Sequence, residues 1–321
     1  MAPLSPAGVA GDGVSGGVLI GRALRRVAAA LAAALLPLAL AAQTIVFSFD
    51  DGFDPRAQPN AAALNAQMLK ALADAQARAI LFPVGKRVDS PPGLALVRAW
   101  SDAGHAIGNH SYSHLNLGST KVSATQFCDD VLAAQRVLAG FGGWTPRLRF
   151  PYLKEGDTAA KRDAVRAWMR AQGYRPGPVG IDASDWYYDE RFVAWRRAHP
   201  QGDLTAWRAA YLDHLRDRAR YYDALAQATL GRRPPLVLLL HTNEINATFL
   251  PDVLAMFRAE GWRIVDAEAA FADPLYEMQP NTLPAGESIV WALAKQAGRS
   301  DLRYPAEDDV YEKPILDRLG L

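Results

Sequence analysis

The sequence predicts an α/β fold in which parallel strands close, or nearly close, into a barrel with helices outside. Two observations carry this. Seven short apolar, β-branched or aromatic runs alternate with longer stretches of helical character. That alternation implies parallel pairing, with helices covering the sheet. The polar residues that look chemical fall at the C-terminal ends of those runs, the rim on which α/β barrels build active sites.

The elements follow in order. Strands are expected at 44–49, 79–84, 105–108, 147–150, 178–181, 236–240 and 263–265. Helices are expected at 61–73, 93–103, 123–138, 158–172, 204–230 and 251–260. Gly104, Gly173, Gly231 and Gly261 stand just past four of these helices, where a helix stop belongs. In the second helix Leu94, Val97 and Trp100 recur every three residues and form a candidate buried stripe. The tail from 273 to 321, with a helical stretch near 287–296, reads as a wrap on the same domain.

Composition bounds the class. The chain has 321 residues, half of them hydrophobic, which allows a large core and excludes a disordered chain. With 35 basic against 34 acidic side chains there is no basic surplus for nucleic acid. Cys128 is the one cysteine, so neither an intramolecular disulfide nor a thiolate zinc site is available. At the N-terminus Arg22, Arg25 and Arg26 precede the apolar run 27–40 and the small-residue site Ala39-Leu40-Ala41. This reads as a secretory signal peptide over 1–41, with export to the periplasm or the exterior. An uncleaved anchor is the alternative, but the run is short for a membrane span. Residues 42–321 are then one catalytic domain, with a motif core at 44–270 and a C-terminal extension at 271–321.

Five polar constellations close the strands: Asp50-Asp51-Gly52, His110-Ser111-Tyr112-Ser113-His114, Arg149-Phe150-Pro151-Tyr152, Asp182-Ala183-Ser184-Asp185-Trp186, and His241. His110 and His114 are spaced i, i+4, which puts both imidazoles on one face if the segment is helical. A plain surface helix would show the same spacing. A catalytic zinc wants a third protein ligand, and Asp51 can supply it. Successive strand residues face opposite ways, so Asp50 and Asp51 share a site only if the chain leaves the strand there, a turn Gly52 allows. Asp50 is then free to act as general base toward a metal-bound water. Arg149 would hold that carboxylate ionised, unless it is an ordinary ion pair. Pro151 fixes the chain so that the Tyr152 backbone N–H could face an oxyanion.

His241, after five continuous apolar residues, is a candidate general acid if a carboxylate orients it, and Asp185 is the best candidate. Considered alone, such a histidine is usually a satisfied core residue. Trp186 and Leu239 would wall a small acyl group, although both fit plain core equally well. His105, His199 and His214 have no sequence partners and read as structural or exposed.

Taken together and in this order, the five motifs resemble the NodB-type polysaccharide deacetylases, carbohydrate esterase family four. The resemblance implies a distorted (β/α)7 barrel and metal-dependent removal of acetyl groups from an acetylated oligo- or polysaccharide, N-acetyl or sometimes O-acetyl. It implies Asp50 as base, and Asp51, His110 and His114 as ligands of one divalent ion, zinc or else cobalt, nickel or manganese. It further implies Arg149 orienting the base, Tyr152 contributing its N–H, and Asp185 tuning His241. The chain departs from the family pattern at Leu153-Lys154-Glu155, where a turn through Gly is usual. It departs again at Thr242-Asn243, where Asp usually follows the histidine.

The resulting expectation is an exported hydrolase acting on carbon–nitrogen bonds other than peptide bonds. A non-catalytic carbohydrate-binding surface protein and a hydrolase of a small non-sugar amide are the alternatives. Two His and one carboxylate also suit a non-haem iron oxygenase. A second carboxylate beside the ligand set and a distal acid fit hydrolysis better.

Overall fold

In chain order the strands are β1 (Thr44–Asp51), β2 (Ile80–Pro83), β3 (Ala106–Asn109), β4 (Trp144–Leu148), β5 (Lys154–Gly156), β6 (Arg175–Pro176), β7 (Leu236–His241), β8 (Arg263–Ile264) and β9 (Ala285–Gly286). The helices are α1 (Ala61–Asp74), α2 (Gly85–Val88), α3 (Pro91–Asp102), α4 (Ala124–Leu138), α5 (Ala159–Ala171), α6 (Asp185–Ala198), α7 (Thr205–Leu230), α8 (Glu244–Ala259), α9 (Ala267–Phe271), α10 (Ile289–Gln296) and α11 (Glu312–Leu319). These come from a computed structural model that describes residues 43–303 and 309–321, with isolated residues among the first eleven. The export signal expected at 1–41 lies outside the described residues, apart from those isolated positions.

β1 is the spine. Its residues 44–50 are all buried, as a strand covered on both faces requires. It pairs in parallel with β2 on one side and β7 on the other. β3, β4 and β6 continue the sheet beyond β2, and β8 pairs with Thr44 and Ile45. The sheet then curls back. Past β6 the chain reaches β7, where Ile181 bridges Leu238 in parallel. There the Leu239 N–H donates to the Ile181 carbonyl at 3.0 Å. One segment, 175–181, thus joins both edges of the sheet and makes it a distorted (β/α)7 barrel.

The interior of that barrel is crowded. A Cβ on Gly108 would sit 2.3 Å from the Phe82 ring, and one on Gly177 would sit 2.9 Å from the same ring. Both positions must be glycine so that Phe82 can fill the lumen. Gly104, Gly173, Gly231 and Gly261 adopt φ of 82°, 73°, 69° and 83° past their helices, as the stop signals predicted. Val97 and Trp100 of the predicted stripe are fully buried, and Leu94 packs against the same core. Residues 43–321 form one compact unit. Among the described residues no helix is long and apolar enough to cross a membrane.

Several elements differ from the sequence expectation. The fourth strand runs from Trp144 to Leu148, and the Arg149 N–H still donates to the Asn109 carbonyl at 2.9 Å before the chain turns at Pro151. The fifth run, 178–181, contributes the Ile181 bridge alone, and β6 lies ahead of it. α8 starts seven residues before Pro251 and carries the proline inside. Its buried Ile245, Phe249, Leu250, Val253, Leu254 and Phe257 supply packing that outweighs the lost backbone hydrogen bond. α6 is a helix not expected from the sequence, lying between Ser184 and the helix expected at 204–230.

His105 is structural. Its Nδ1 accepts the Ala79 N–H at 3.1 Å, and its ring lies 5.1 Å from that of Trp100. Burial, with Arg78 nearby, pushes its pKa down to about 4. Between pH 6.5 and about 4 the unfolded chain takes a proton that folded His105 refuses, so stability is lost as pH falls through that window. The full effect is about 3 kcal/mol. Urea unfolding midpoints should therefore drop over this range. The drop should flatten in His105→Asn, whose side-chain oxygen can replace Nδ1 as acceptor; an equally steep drop in that variant would exonerate His105.

Candidate active site

The catalytic rim is built by residues that break regular backbone. β1 ends at Asp51, whose φ is 85°, and the Gly52 N–H closes back on the Asp50 carbonyl at 3.2 Å. This reversal, continued by Gly52 at φ 77°, brings Asp50 and Asp51 to one site despite their opposite facing along a strand. The His110 to His114 segment is not helical, contrary to the expectation from spacing. Ser111 and His114 adopt φ of 60° and 59°. Asn109 Oδ1 accepts the Ser111 N–H, while Asp130 accepts the N–H groups of Tyr112 and Ser113 and the Ser113 hydroxyl. Two side chains from outside the motif thus shape the loop that aims both imidazoles.

Tyr152 and Leu153 also lie in the left-handed region, at 57° and 56°. Leu153 begins the stretch 153–155 where a turn through Gly was expected, and here non-glycine residues make the turn. The C-terminal extension holds it: β9 pairs antiparallel with β5, and the Glu287 N–H donates to the Leu153 carbonyl at 3.1 Å. The Lys154–Glu287 ion pair adds a side-chain tie. Left-handed non-glycine residues cost energy and persist only where surroundings over-determine them, and here they concentrate around one cavity.

That cavity has a volume of about 610 Å³. Asp50, Asp51, His110, His114, Tyr152, Trp186, Leu239 and His241 all line it. Arg149 and Asp185 stand behind its wall, both buried. All ten candidate residues therefore come to one place. Tyr152 is 54 % exposed, and its ring lies 4.6 Å from that of His114, tilted by 56°.

Three ligand atoms converge. One from each of Asp51, His110 and His114 lie within 4.8 Å of one another. Asp51 Oδ1 is 3.8 Å from His114 Nε2 and 4.0 Å from His110 Nε2. Asp51 Oδ2 pairs with Arg87 at 3.1 Å, while buried Oδ1 has no hydrogen-bond partner among the described residues. His110 Nδ1 lies 2.9 Å from the Arg149 carbonyl, which fixes it as N–H and leaves Nε2 with its lone pair toward the cluster. Burial drives the His110 pKa well below its ordinary value, with His114 adding to the effect, and burial lowers that of His114 too. Burial works to raise Asp51, but His241, Arg87, His110 and His114 outweigh it and hold the carboxyl below its ordinary value. Two neutral imidazoles and one carboxylate with its Oδ1 left unbonded make a three-ligand donor set that fits a divalent cation.

Two dyads face this cluster. Arg149 Nη1 donates to Asp50 Oδ1 and Oδ2 at 3.0 and 3.1 Å, and its guanidinium lies over the Phe82 ring. Burial pushes the Asp50 carboxyl up to about 6 against the opposing pull of Arg149 and His241. On the other side His241 Nδ1 is 2.7 Å from Asp185 Oδ1. Asp185 Oδ2 accepts the His241 N–H and the side-chain amides of Asn243 and Asn246. Burial opposes a proton on His241, yet Asp185, Asp51 and Asp50 hold it there and push the pKa up to about 10. The arrangement pairs a carboxylate poised to accept a proton with an imidazolium poised to give one.

Sequence reasoning missed Arg87, Asn109, Asp130, Asn246 and Asp189. Asn243 was noted as a departure; it caps α8 and donates to Asp185. Asp189, one turn along α6 from Asp185, lines the cavity and accepts the Ile245 N–H at 2.8 Å. Burial raises its pKa to about 6. None of these residues stands in a recognisable motif.

Comparison with known proteins agrees. Residues 39–175 match the family model described as polysaccharide deacetylase. A peptidoglycan-N-acetylglucosamine deacetylase of Bacillus cereus is 27 % identical over 143 residues, 44 % of this chain and 46 % of that protein. The peptidoglycan-N-acetylglucosamine deacetylase PgdA of Listeria monocytogenes is 22 % identical over 75 % of this chain and 41 % of its own length. The chain thus spans less than half the length of these two relatives. The peptidoglycan-N-acetylmuramic acid deacetylase PdaA of Bacillus subtilis is 24 % identical over 68 % of each chain. Among solved structures, the polysaccharide deacetylase Bc1974 from Bacillus cereus aligns with a TM-score of 0.49 and 21 % identity, covering 70 % of this chain and 91 % of that one.

Proposed function

We propose, from the match of residues 39–175 to the polysaccharide deacetylase family model, that the protein is a hydrolase that removes acetyl groups from an N-acetylated glycan of the peptidoglycan type. The observation that carries this is the opposition of two dyads, Arg149–Asp50 and Asp185–His241, across the Asp51, His110 and His114 cluster. Those three residues would hold one divalent ion, zinc by the donor set. When bound, the ion supplies Lewis acidity toward the acetyl oxygen and the attacking water.

The protein residues do the rest. Asp50 accepts the proton of the attacking water, and Arg149 keeps that carboxylate ionised and aimed. The Tyr152 N–H is assigned to the developing oxyanion, on the turn that Pro151 begins. His241 hands the proton on its Nε2 to the departing nitrogen while Asp185 holds the Nδ1 proton. An amine leaves poorly unless protonated, so a general acid held by a buried carboxylate beside the leaving group serves an acetamide more than an ester. Trp186 and Leu239 wall the cavity where the acetyl group would sit, and its volume is that of a small-ligand site.

The test is acetate release from a panel of N- and O-acetylated glycans, with chelator and metal add-back. Release from N-acetylated oligomers, abolished by chelator and restored by zinc, is expected. Glycan binding without acetate release from any member would leave a carbohydrate-binding protein instead.

A further inference from the structure

The C-terminal extension reaches the active site from behind. Glu312, the first residue of α11, is fully buried. Its Oε1 accepts the Ser184 hydroxyl at 2.9 Å and also pairs with Arg218 Nη2 of α7. The Ser184 N–H donates to His214 Nε2, one turn before Arg218, at 3.3 Å. The Ser184 carbonyl accepts the N–H groups of Tyr187 and Tyr188 and so starts α6. Every polar group of Ser184 is therefore tied, and the next residue is Asp185. α11 grips α6 a second time, where Arg191 pairs with Asp317 at 2.8 Å and with the Leu321 carbonyl.

A buried carboxylate is a poor device for merely packing a helix, because desolvation offsets most of the Coulombic gain. Among the described residues the pair is not even fully satisfied: Glu312 Oε2 and Arg218 Nη1 are buried there with no hydrogen-bond partner. What the carboxylate does supply is direction at Ser184. We infer that Glu312 is a positioning residue for the reaction, acting through Ser184 to set Asp185 and thereby the aim of His241. Asp185 is then held from two sides, directly by Asn243 and Asn246 at the start of α8 and through Ser184 by Glu312 from the tail. Glu312 lies beyond the segment 39–175 that matches the family. The inference rests on the deacetylase reading for its rate readout alone.

The full-length chain serves for the test, with Ser184→Ala and Glu312→Gln. Ser184→Ala removes the contact and leaves the Glu312–Arg218 pair intact, so it decides even if Glu312→Gln fails to fold. The first readout is the His241 Nδ1–H proton signal in 15N-histidine-labelled protein, assigned by its absence in His241→Asn. The second is kcat and KM on whichever N-acetylated chito- or peptidoglycan oligomer releases acetate. A shifted His241 signal is expected in Ser184→Ala, with kcat down about tenfold and KM within about twofold. An unshifted signal in folded Ser184→Ala overturns the inference. Because that signal needs no substrate, a failure to find any acetate release would count against the deacetylase reading alone.

Discussion

Replacing Asp50 with Asn should slow turnover about a thousandfold while the divalent ion stays bound. The amide keeps the shape of the carboxylate and can still accept from Arg149, but it cannot take a proton from water. A thousandfold corresponds to about 4 kcal/mol of barrier. The fold should survive, because Arg149 keeps two other acceptors, the Ser48 hydroxyl and the Gly177 carbonyl. Its charge is nevertheless left buried without a partner, so the unfolding midpoint should fall as well. The measurements are kcat on an acetylated oligomer and metal content by elemental analysis. Near-normal turnover in folded Asp50→Asn would remove Asp50 from the role of base.

Removing either imidazole should have a larger effect on the ion itself. Dialysed His110→Ala and His114→Ala are each expected to retain about a tenth of an equivalent of metal or less, with activity lost in parallel. A two-ligand remnant offers neither the charge nor the coordination number a catalytic zinc site needs. Asp51 would keep its pairing with Arg87 in both variants, so the loss would report the imidazole and not a collapsed carboxylate. Full stoichiometric metal in both variants would show that the cluster is not the site.

Much of this was legible in the chain. The apolar runs at 44–49, 79–84, 105–108 and 236–240 became β1, β2, β3 and β7, because a strand buried on both faces must be apolar throughout. The glycine stops worked because helix ends want the left-handed backbone that glycine adopts freely. The site residues could be gathered from their place at strand ends, since the C-terminal rim follows from topology alone.

Elsewhere the sequence pointed to the right residues through the wrong local shape. His110 and His114 meet through a loop with two left-handed residues, not through a helical turn. The loop is held by Asp130, sixteen or more residues away on α4, and no periodicity encodes that. β4 covers 144–148 where a strand was expected at 147–150, with Pro151 close behind its end. Pro251 marked a helix start in sequence but sits inside α8, where packing outweighs the local preference.

The sequence by itself determined the strand–helix order and the kinds of groups that collect on one rim, because both depend on local composition and connectivity. Only the tertiary structure decided how the barrel closes, which carboxylate oxygen is left unbonded, and what holds Asp185 in place. Those depend on contacts between residues far apart in the chain, such as Ile181 with Leu238, Arg87 with Asp51, and Glu312 with Ser184. Each joins groups that no local pattern relates, and each is set by the packing of elements whose positions the chain fixes only once it is folded.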